Sequence, residues 1–444
     1  MTDPSSQTRP SANSPDELPP LRRAIPLGLQ HVLAMFVGNI TVPIIIAGIL
    51  GLGAEDKVFL IQVAIFIAGV TTLLQTIGAG PIGARLPIVQ GTSFGFLPVC
   101  IPIAKAYGLG ALLGGALVGG LVQLGIGAVL NRIRHWFPPI VTGVVVLVIG
   151  ISLMQVALVY AGGGKWLLDN KPELFASGRQ LFLAFTVLLV TVIVNQFGRG
   201  FWGMASILTG LTVGYLVAIP MGMVNFDAVV GAAWFAVPMP LKFGMQFNTA
   251  AIVGMSIMAL ITTIETVGDI SGITIGGAGR EATDRELSGG VMADGVATSL
   301  ASLFGALPNT SYSQNVGVVA FTGVMSRHVV TIGALFLILA GLVPKLGAVV
   351  SAMPQAVLGG ASIVMFGMIA AAGAKLLTQQ TLNRRNMLIV AVSLTLGIGL
   401  PLVPELVQFF PTQLAVIMKS GIVPAGVVAL VLDRLLPGEG NSAR

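Results

Sequence analysis

Charged side chains are scarce in this sequence. Asp, Glu, Lys and Arg make up only 9% of its 444 residues, whereas a soluble protein carries about 25%. Hydrophobic residues reach 55%, and the mean hydropathy is +0.93. This balance excludes an ordinary soluble globular chain and predicts an all-α protein that crosses a membrane many times.

Cysteine is also nearly absent, since Cys100 is the only one. A disulfide within the chain and a cysteine-rich metal site are therefore excluded, and neither a metal nor another cofactor is predicted. The formal charge of +6 comes without any run of Lys and Arg interleaved with aromatic residues, so no nucleic-acid partner is expected. The sequence has no Walker A motif and no His-Glu-x-x-His motif, which leaves ATP-driven transport and zinc-protease chemistry unsupported.

Both ends of the chain are polar. Residues 1–24 are rich in Ser, Pro and charge and have no apolar stretch, so we expect a disordered cytoplasmic tail rather than a signal peptide. Residues 436–444 predict a second short cytoplasmic tail. Between the tails, apolar segments predict about fourteen membrane spans. Arginines concentrate in the loops that become cytoplasmic if both termini are cytoplasmic, although most lysines fall on the opposite side.

Two of these segments are poor helices, and they resemble each other. One reads LPIVQGTSFGFLP from Leu86, and the other reads LPNTSYSQNVG from Leu307. A second pair, PPIVTGVVVLVIGI from Pro138 and PQAVLGGASIVMFGM from Pro354, also matches. The two pairs are 221 residues apart (307 minus 86) and 216 residues apart (354 minus 138). The sequence therefore predicts a repeat of seven segments, and an odd number makes the second copy inverted in the membrane.

The repeat predicts a domain layout. Residues 25–223 form the first repeat, 224–247 the connector, and 248–435 the second repeat. Inverted repeats with discontinuous helices at matching positions are typical of secondary transporters. Broken helices, with short strands, are expected at segments 3 and 10, so 90–94 and 313–317 should face each other across a site near the bilayer midplane.

Acidic residues within spans are rare and are functional candidates. Glu265 and Asp269 are four residues apart on one predicted helix face, and two carboxylates this close favour sharing a proton. His31 is either a coupling residue or a satisfied core histidine. Asp294 either relays protons or caps a helix near the surface.

At these positions the chain resembles the nucleobase–ascorbate transporter family. The family signature is Gln, Glu or Pro, then Asn, any residue, Gly, four residues, Thr, and Arg, Lys or Gly. Here it reads QNVGVVAFTG from Gln314 to Gly323 without a departure. The ETVGD and QGTSF stretches and the early His31 look like further family landmarks, and the resemblance spans about residues 25–435.

The resemblance implies fourteen segments in two inverted repeats. Segments 1–4 and 8–11 would form a core domain, and segments 5–7 and 12–14 a gate domain. It also implies a homodimer in the bacterial inner membrane, surrounded by lipid. Such a protein takes up a nucleobase with a cation, usually H⁺, by an elevator-type movement of the core.

The resemblance also implies a role for each landmark residue. Glu265 would accept hydrogen bonds from ring N–H groups, Gln314 would bind the base through its amide, and Phe94 would stack on the ring. The backbone around Ser93 and Ser313 would close the ends of the site.

Three further landmark residues would support that site. Asn315 would hold the broken helix, while Asp269 and His31 would belong to the coupling network. An amide offers a donor and an acceptor side by side, which matches the adjacent N–H and C=O groups of a nucleobase edge.

The choice among nucleobase substrates rests on the family resemblance alone. Uracil-type relatives carry Glu and His where this chain has Gln314 and Asp269, whereas xanthine and urate relatives carry Gln and Asp. Ser93 stands where xanthine-selective relatives can carry Asn. We therefore expect an oxidised purine, xanthine or uric acid or both. Uracil or another nucleobase is the alternative.

Two other classes remain open. An anion exchanger of the same architecture would account for the repeat, but it should lack an intramembrane acid such as Glu265. The stretch GTSFG from Gly91 matches the nucleophile pattern Gly-x-Ser-x-Gly, with Ser93 as nucleophile. That pattern needs a strand–turn–helix and a nearby histidine, and it arises easily in a chain with 58 glycines.

Overall fold

The computed structural model describes residues 14–133 and 138–437, and these residues are predominantly helical. The first half contains α1 (Leu21–Ile49), α2 (Ala54–Ile77), β1 (Gln90–Thr92), α3 (Leu97–Ile133), α4 (Pro139–Ala161), α5 (Lys165–Asn170), α6 (Gly178–Phe197), α7 (Phe201–Met204) and α8 (Ser206–Ala218). The second half contains α9 (Asp227–Gly231), α10 (Thr249–Ala278), α11 (Asp284–Leu303), β2 (Asn309–Ser311), α12 (Ser313–Thr322), α13 (Arg327–Gly341), α14 (Pro344–Ser351), α15 (Gln355–Thr378), α16 (Arg384–Leu402), a 3₁₀ turn (Pro404–Val407), α17 (Thr412–Met418) and α18 (Ile422–Leu435).

The apolar helices have the dimensions of membrane spans. Within the described residues, 8 helices are long and apolar enough to cross a membrane, or up to 10 if each of two sharply bent helix pairs counts as one span. The predicted all-α membrane fold is confirmed. The number fourteen stays a prediction, because several predicted segments are broken or polar and do not meet these criteria.

Segments 3 and 10 are broken by short strands, as the sequence predicts. Strands β1 and β2 pair antiparallel, with Gln90 opposite Ser311 and Thr92 opposite Asn309. The run of Pro, Gly and polar residues disfavours a helix here. Each strand instead satisfies its backbone groups on the other, which is required where no water is present.

Segments 3 and 4 are the two parts of α3. The helix is interrupted at Gly108, whose φ of 80° and ψ of 175° are not helical. Positive φ at this position is readily adopted only by glycine. The chain therefore turns from the short half-helix that follows β1 into a full-length helix that ends at Ile133.

Helix packing follows the inverted repeat. In the first repeat α1 and α2 pack against α13, and in the second repeat α10 and α11 pack against α3. Each repeat therefore contributes its fourth segment to the other. These elements, with the two strands and α12, form the core domain.

The gate domain is centred on the contact between α4 and α15. A Cβ at Gly143 would lie 2.7 Å from a side-chain atom of Leu377, and a Cβ at Gly359 would lie 2.0 Å from the backbone nitrogen of Ala161. The two contacts correspond to each other in the two repeats, because Gly143 and Gly359 occupy matching positions in the repeated sequence pair. The two helices cross at close range because glycine lets their backbones meet.

The boundaries of the tails differ in part from prediction. Helix α1 begins at Leu21, and the described residues just before it are bonded to the start of α13. Asp16 pairs with Arg327 at 2.7 Å, and the backbone of Arg327 donates to the carbonyl of Pro15. Residues 1–13 of the predicted N-terminal tail, and 438–444 of the predicted C-terminal tail, lie outside the described residues.

The connector at 224–247 contains the single helical turn α9 and then runs across the ends of the core helices. Its backbone bonds to several of them: Ala236 donates to Leu342, Leu241 to Leu303, and Gln246 to Gly110. The connector is therefore fixed to both repeats.

Candidate functional site

The strand pair places the start of two half-helices at the centre of the core domain. Helix α12 begins at Ser313, directly after β2, and α3 begins at Leu97, shortly after β1. The backbone of Ser93 donates to Pro308 at 2.9 Å, and that of Tyr312 donates to Val89 at 3.0 Å. These bonds extend the two-stranded pairing at both ends. The first turn of α12 keeps N–H groups that have no partner within the helix, and such groups can bind the polar edge of a ligand.

Asp294 holds the two strands together from α11. Its carboxylate is fully buried and accepts hydrogen bonds from the side-chain amides of Gln75 at 3.0 Å and of Gln90. It also accepts from the Thr266 hydroxyl at 2.6 Å and from the backbone and hydroxyl of Ser311. One carboxylate thus ties α2, α10 and both strands. A cap near the surface, one of the two roles considered from sequence, is wrong because the residue is buried within α11.

A second polar anchor comes from the first repeat. Asn39, which is fully buried in α1, donates to the carbonyl of Ala64 at 3.1 Å. Its side-chain oxygen accepts from the backbone of Thr92 at 2.8 Å. On the opposite side, the hydroxyl of Thr298 donates to the carbonyl of Asn309 at 2.8 Å. Each strand is therefore fixed to helices as well as to the other strand.

His31 and Asn315 form a bridge between α1 and α12. The His31 Nδ1 atom is hydrogen-bonded to the side-chain oxygen of Asn315, and the Asn315 amide donates to the carbonyl of Pro87. Both side chains are buried. Asn315 therefore ties α12 to α1 and to the segment before β1, and its role in supporting a binding site stays a prediction. The second ring nitrogen of His31 has no partner among the described residues.

Glu265 and Asp269 project from α10 towards the half-helices. A Cβ at Gly95 would lie 3.3 Å from both the Oε2 atom of Glu265 and the Oγ atom of Ser93, so these groups are neighbours. Asp269 lies beside Ser313 and within electrostatic range of Glu265. Each of the two acids has one buried carboxylate oxygen without a partner among the described residues. A buried carboxylate in that condition can take a proton or a donor from a ligand.

A cavity of about 310 Å³ lies between the core and gate domains. Tyr312, Ser313 and Gln314 line one wall, and Ser313 and Gln314 are exposed to it. The remaining lining comes from α1, from α12 and from the helices α6, α7, α8 and α15, and is mostly apolar. A mostly apolar cleft with few convergent polar groups is typical of a small-molecule site.

Glu265 does not line that cavity. It contributes to a separate crevice of about 10 Å³ formed with apolar residues of α4, a space that holds at most one water molecule. Between the two spaces, Phe94 packs edge-to-face on Phe366 of the gate domain, with ring centroids 5.3 Å apart. In this conformation the predicted substrate residues share one core face, but Gln314 and Glu265 open into different spaces.

Several site residues were missed from sequence alone. Gln75 and Asn39 are lone amides within apolar spans, and a search for polar side chains of any kind, rather than for acids alone, would have found them. Tyr312 was not singled out, although it lies between the two predicted binding stretches; its hydroxyl donates to the carbonyl of Thr92 at 2.7 Å. Asn195 of α6 also lines the cavity, and nothing in the local sequence distinguishes it from a loop residue.

Comparison with known proteins assigns this chain to a family. Residues 22–406 match the model of the Permease family named Xan_ur_permease. A xanthine permease of Bacillus subtilis is 38% identical over 416 residues, which cover 93% of this chain and 93% of the relative. The uric acid transporter UacT of Escherichia coli is 36% identical over 446 residues, which cover 99% and 91%. The chain belongs to the nucleobase–ascorbate transporter family.

Solved structures extend the likeness beyond this family. The transmembrane domain of the cyanobacterial bicarbonate transporter BicA aligns with a TM-score of 0.59 at 16% identity, covering 92% of this chain and 97% of that one. The structure of SLC26A9 aligns with a TM-score of 0.64 at 15% identity, covering 94% and 66%. These likenesses concern the inverted-repeat fold alone, and a fold shared with anion transporters does not define the substrate. This member of the nucleobase–ascorbate family is thus an integral membrane protein of transporter architecture.

Proposed function

We propose that this protein is a secondary active transporter that takes up an oxidised purine, xanthine or uric acid or both, together with H⁺. The observation that carries the proposal is the shared core face of Gln314, Ser313, Glu265 and Asp269 around the two half-helices. The names of the similar permeases supply the substrate class. No catalytic role is assigned to any residue, and Ser93 serves binding rather than nucleophilic attack.

The chemistry of the core face fits a purine edge. The Gln314 amide offers an N–H donor beside a C=O acceptor, and Glu265 offers only acceptor oxygens as an anion. An oxidised purine displays ring N–H groups next to carbonyls, so it could meet both. The N–H groups at the start of α12 suit a carbonyl or an anionic form of the base. Phe94 would leave Phe366 and stack on the ring.

The coupling step follows from the two acids. Glu265 and Asp269 are close, both have an oxygen without a donor, and two buried anions at this distance repel each other. A proton shared between them relieves that repulsion while substrate binds. The core domain then moves past the gate domain, elevator-fashion, and releases base and proton on the other side. Asp294 and the bridge of His31 and Asn315 keep the strands aligned during that movement.

The surroundings of the protein form part of the proposal. We place it in the inner membrane of a bacterium with both termini cytoplasmic, because the arginine-rich loops should lie inside. Arg285 donates to the carbonyls of Gly80 and Gly83, and Arg327 donates to that of Thr76, so these cations gather at one end of the core. A homodimer through the gate domain, within membrane lipid, completes the proposal.

Uptake of radiolabelled xanthine tests the substrate. Cells lacking their own purine permeases would express this chain, with unlabelled urate, uracil, adenine or ascorbate as competitors. We expect competition by urate, none by uracil, and loss of accumulation when a proton uncoupler is added. Competition by uracil would contradict the oxidised-purine assignment. Chloride-sensitive flux that does not depend on pH would favour an anion exchanger instead, the alternative that the repeat architecture leaves open.

Glu265→Gln tests the coupling. The variant keeps the shape of the side chain but removes the ionisable group, so accumulation against a gradient should be abolished while exchange of labelled for unlabelled base persists. Glu281→Gln, at the exposed turn between α10 and α11, is the matched control and should accumulate substrate normally. Full accumulation by the Glu265 variant would refute its role in coupling.

A further inference from the structure

The cavity between the domains has polar side chains on two opposite walls. Ser313 and Gln314 occupy the core wall, together with Tyr312, whose hydroxyl is already used by Thr92. The facing wall belongs to the gate domain and carries Asn195 and Ser206. The rest of the lining consists of glycine, alanine and larger apolar side chains from four helices, α1, α8, α12 and α15, and from the short segment around Gly203 and Met204.

The gate pair is built from the end of one helix and the start of another. Asn195 lies in the last turn of α6 and Ser206 is the first residue of α8. The Asn195 amide nitrogen donates to the Ser206 hydroxyl oxygen at 3.2 Å. Ser206 is buried, whereas Asn195 is exposed. The bond restricts the orientation of the Asn195 amide, and both residues line the cavity.

This bond uses only part of the hydrogen-bonding capacity of Asn195. A side-chain amide has two N–H donors and a carbonyl that accepts twice. Among the described residues, the bond to Ser206 is the one side-chain hydrogen bond found for Asn195. A donor and an acceptor therefore remain next to each other in an otherwise apolar wall. This is the same pattern that Gln314 presents from the core side.

Asn195 and Ser206 lie near one end of the path that a ligand would take through the cavity. The side chain of Gln30, near the start of α1, reaches the sulfur atom of Met204 at 3.6 Å, so core and gate touch beside the pair. The pair therefore lies towards the membrane face that carries the N-terminus. A ligand that left Gln314 in that direction would pass Asn195 before it reached water.

We propose that Asn195, oriented by Ser206, forms a second purine-binding station on the gate wall that receives the edge of the base after it leaves Gln314. The proposal rests on the proposed function, because it uses the same cavity and the same substrate class. It adds a selectivity step that belongs to the gate domain rather than to the moving core. A purine that can form hydrogen bonds with the Gln314 amide but not afterwards with the Asn195 amide would bind to the core domain but be transported slowly.

Asn195→Ala tests the station, and Asn195→Gln and Ser206→Ala probe its chemistry. Gln196→Ala is the matched control, because Gln196 is a neighbouring exposed amide on α6 that does not line the cavity. Uptake of labelled xanthine would be measured in right-side-out and in inverted membrane vesicles. Competition by xanthines methylated singly at each ring nitrogen would report which edge is recognised.

We expect Asn195→Ala to raise the half-saturating concentration about three- to tenfold in inverted vesicles, the effect of one or two neutral hydrogen bonds. In right-side-out vesicles the change should stay below about twofold, since the base there meets the core site first. The ranking of the methylated xanthines by their inhibition of uptake should change in Asn195→Ala and return to the wild-type ranking in Asn195→Gln. Ser206→Ala should give a smaller change in the same direction.

Three outcomes would overturn the proposal. The first is an unchanged competitor order with an unchanged half-saturating concentration on both sides. The second is an equal change on both sides, which would assign Asn195 to the core-site equilibrium. The third is a lower melting temperature without a change in selectivity, which would make the bond a structural tie between α6 and α8. If the wild-type protein transports no purine at all, the proposed function itself fails, and that result is distinct from these three.

Discussion

Replacement of Asp294 tests the strand junction on which the candidate site depends. Its carboxylate accepts hydrogen bonds from Gln75, Gln90, Thr266 and Ser311 in a fully buried environment. In Asp294→Ala all of these donors lose an acceptor. Gln75 and Thr266 keep other acceptors, which are the carbonyls of Gly290 and Thr262. The substitution therefore mainly affects Gln90 and Ser311.

The magnitude follows from the two groups that are left without an acceptor. These are the side-chain amide of Gln90 and the backbone N–H of Ser311. The hydroxyl of Ser311 also bonds to Asp294, but it can rotate to suit its surroundings and is not counted. Each buried donor without an acceptor costs about 1–3 kcal/mol. Asp294→Ala should therefore lower the free energy of unfolding by about 2–6 kcal/mol. Asp294→Asn keeps one acceptor oxygen and should cost roughly half of that.

The assay is thermal unfolding of the purified protein in detergent, combined with purine uptake. An unfolding entropy of about 2 cal/mol/K per residue makes each kcal/mol worth roughly 1 °C in a chain of this length. We expect Asp294→Ala to melt about 2–6 °C lower and to lose uptake, with Asp294→Asn intermediate. Asp227→Ala, at an exposed position in α9, is the control. A melting temperature for Asp294→Ala within 1 °C of that control would refute the reasoning.

Two further predictions concern packing and the bridge to α12. Gly359→Ala should destabilise the protein strongly, because the added Cβ would lie 2.0 Å from the backbone of the facing helix. Gly367→Ala on the same helix is the control: its Cβ would have nothing within 4 Å, so the variant should be neutral or slightly stabilising. Equal melting temperatures for the two variants would contradict this prediction. His31→Ala should lower the free energy of unfolding by about 1–3 kcal/mol, because the buried side-chain oxygen of Asn315 loses its partner. His328→Ala at the start of α13 is the control. An equal decrease in the control would show that the hydrogen bond between His31 and Asn315 has no specific effect.

Much of the fold was predictable because the membrane constrains the backbone. Long apolar segments must be helices, and the repeated Leu-Pro motif marked where they break. The inverted repeat predicted where the two broken segments lie, and the four-residue spacing of Glu265 and Asp269 predicted that they share one helix face. Residues 90–94 and 313–317 were expected to face each other, and β1 does pair with the strand just before Ser313.

The rest required three-dimensional packing. Periodicity could not tell whether Asp294 was a surface cap or a buried anchor, since that depends on which helices cover α11. Likewise the separation of Glu265 from Gln314 by the contact of Phe94 with Phe366 depends on the position of the gate domain. Sequence predicts which residues share the core face, but not which of them are open together in one conformation.

The pairing of β1 with β2 also bears on how the chain is synthesised. Thr92 and Tyr312, which bond across the junction, are 220 residues apart. At about 5–20 residues per second, the first repeat would wait roughly 10–40 s for its partner strand. During that interval the backbone groups of β1 that bond to β2, and the side-chain amide of Gln90 that bonds to Asp294, stay without their final partners inside the bilayer. A chain halted before residue 309 should therefore be a substrate for membrane quality control, which pulse-chase degradation of stalled chains would detect; stable stalled chains would show that the first repeat satisfies these groups by itself.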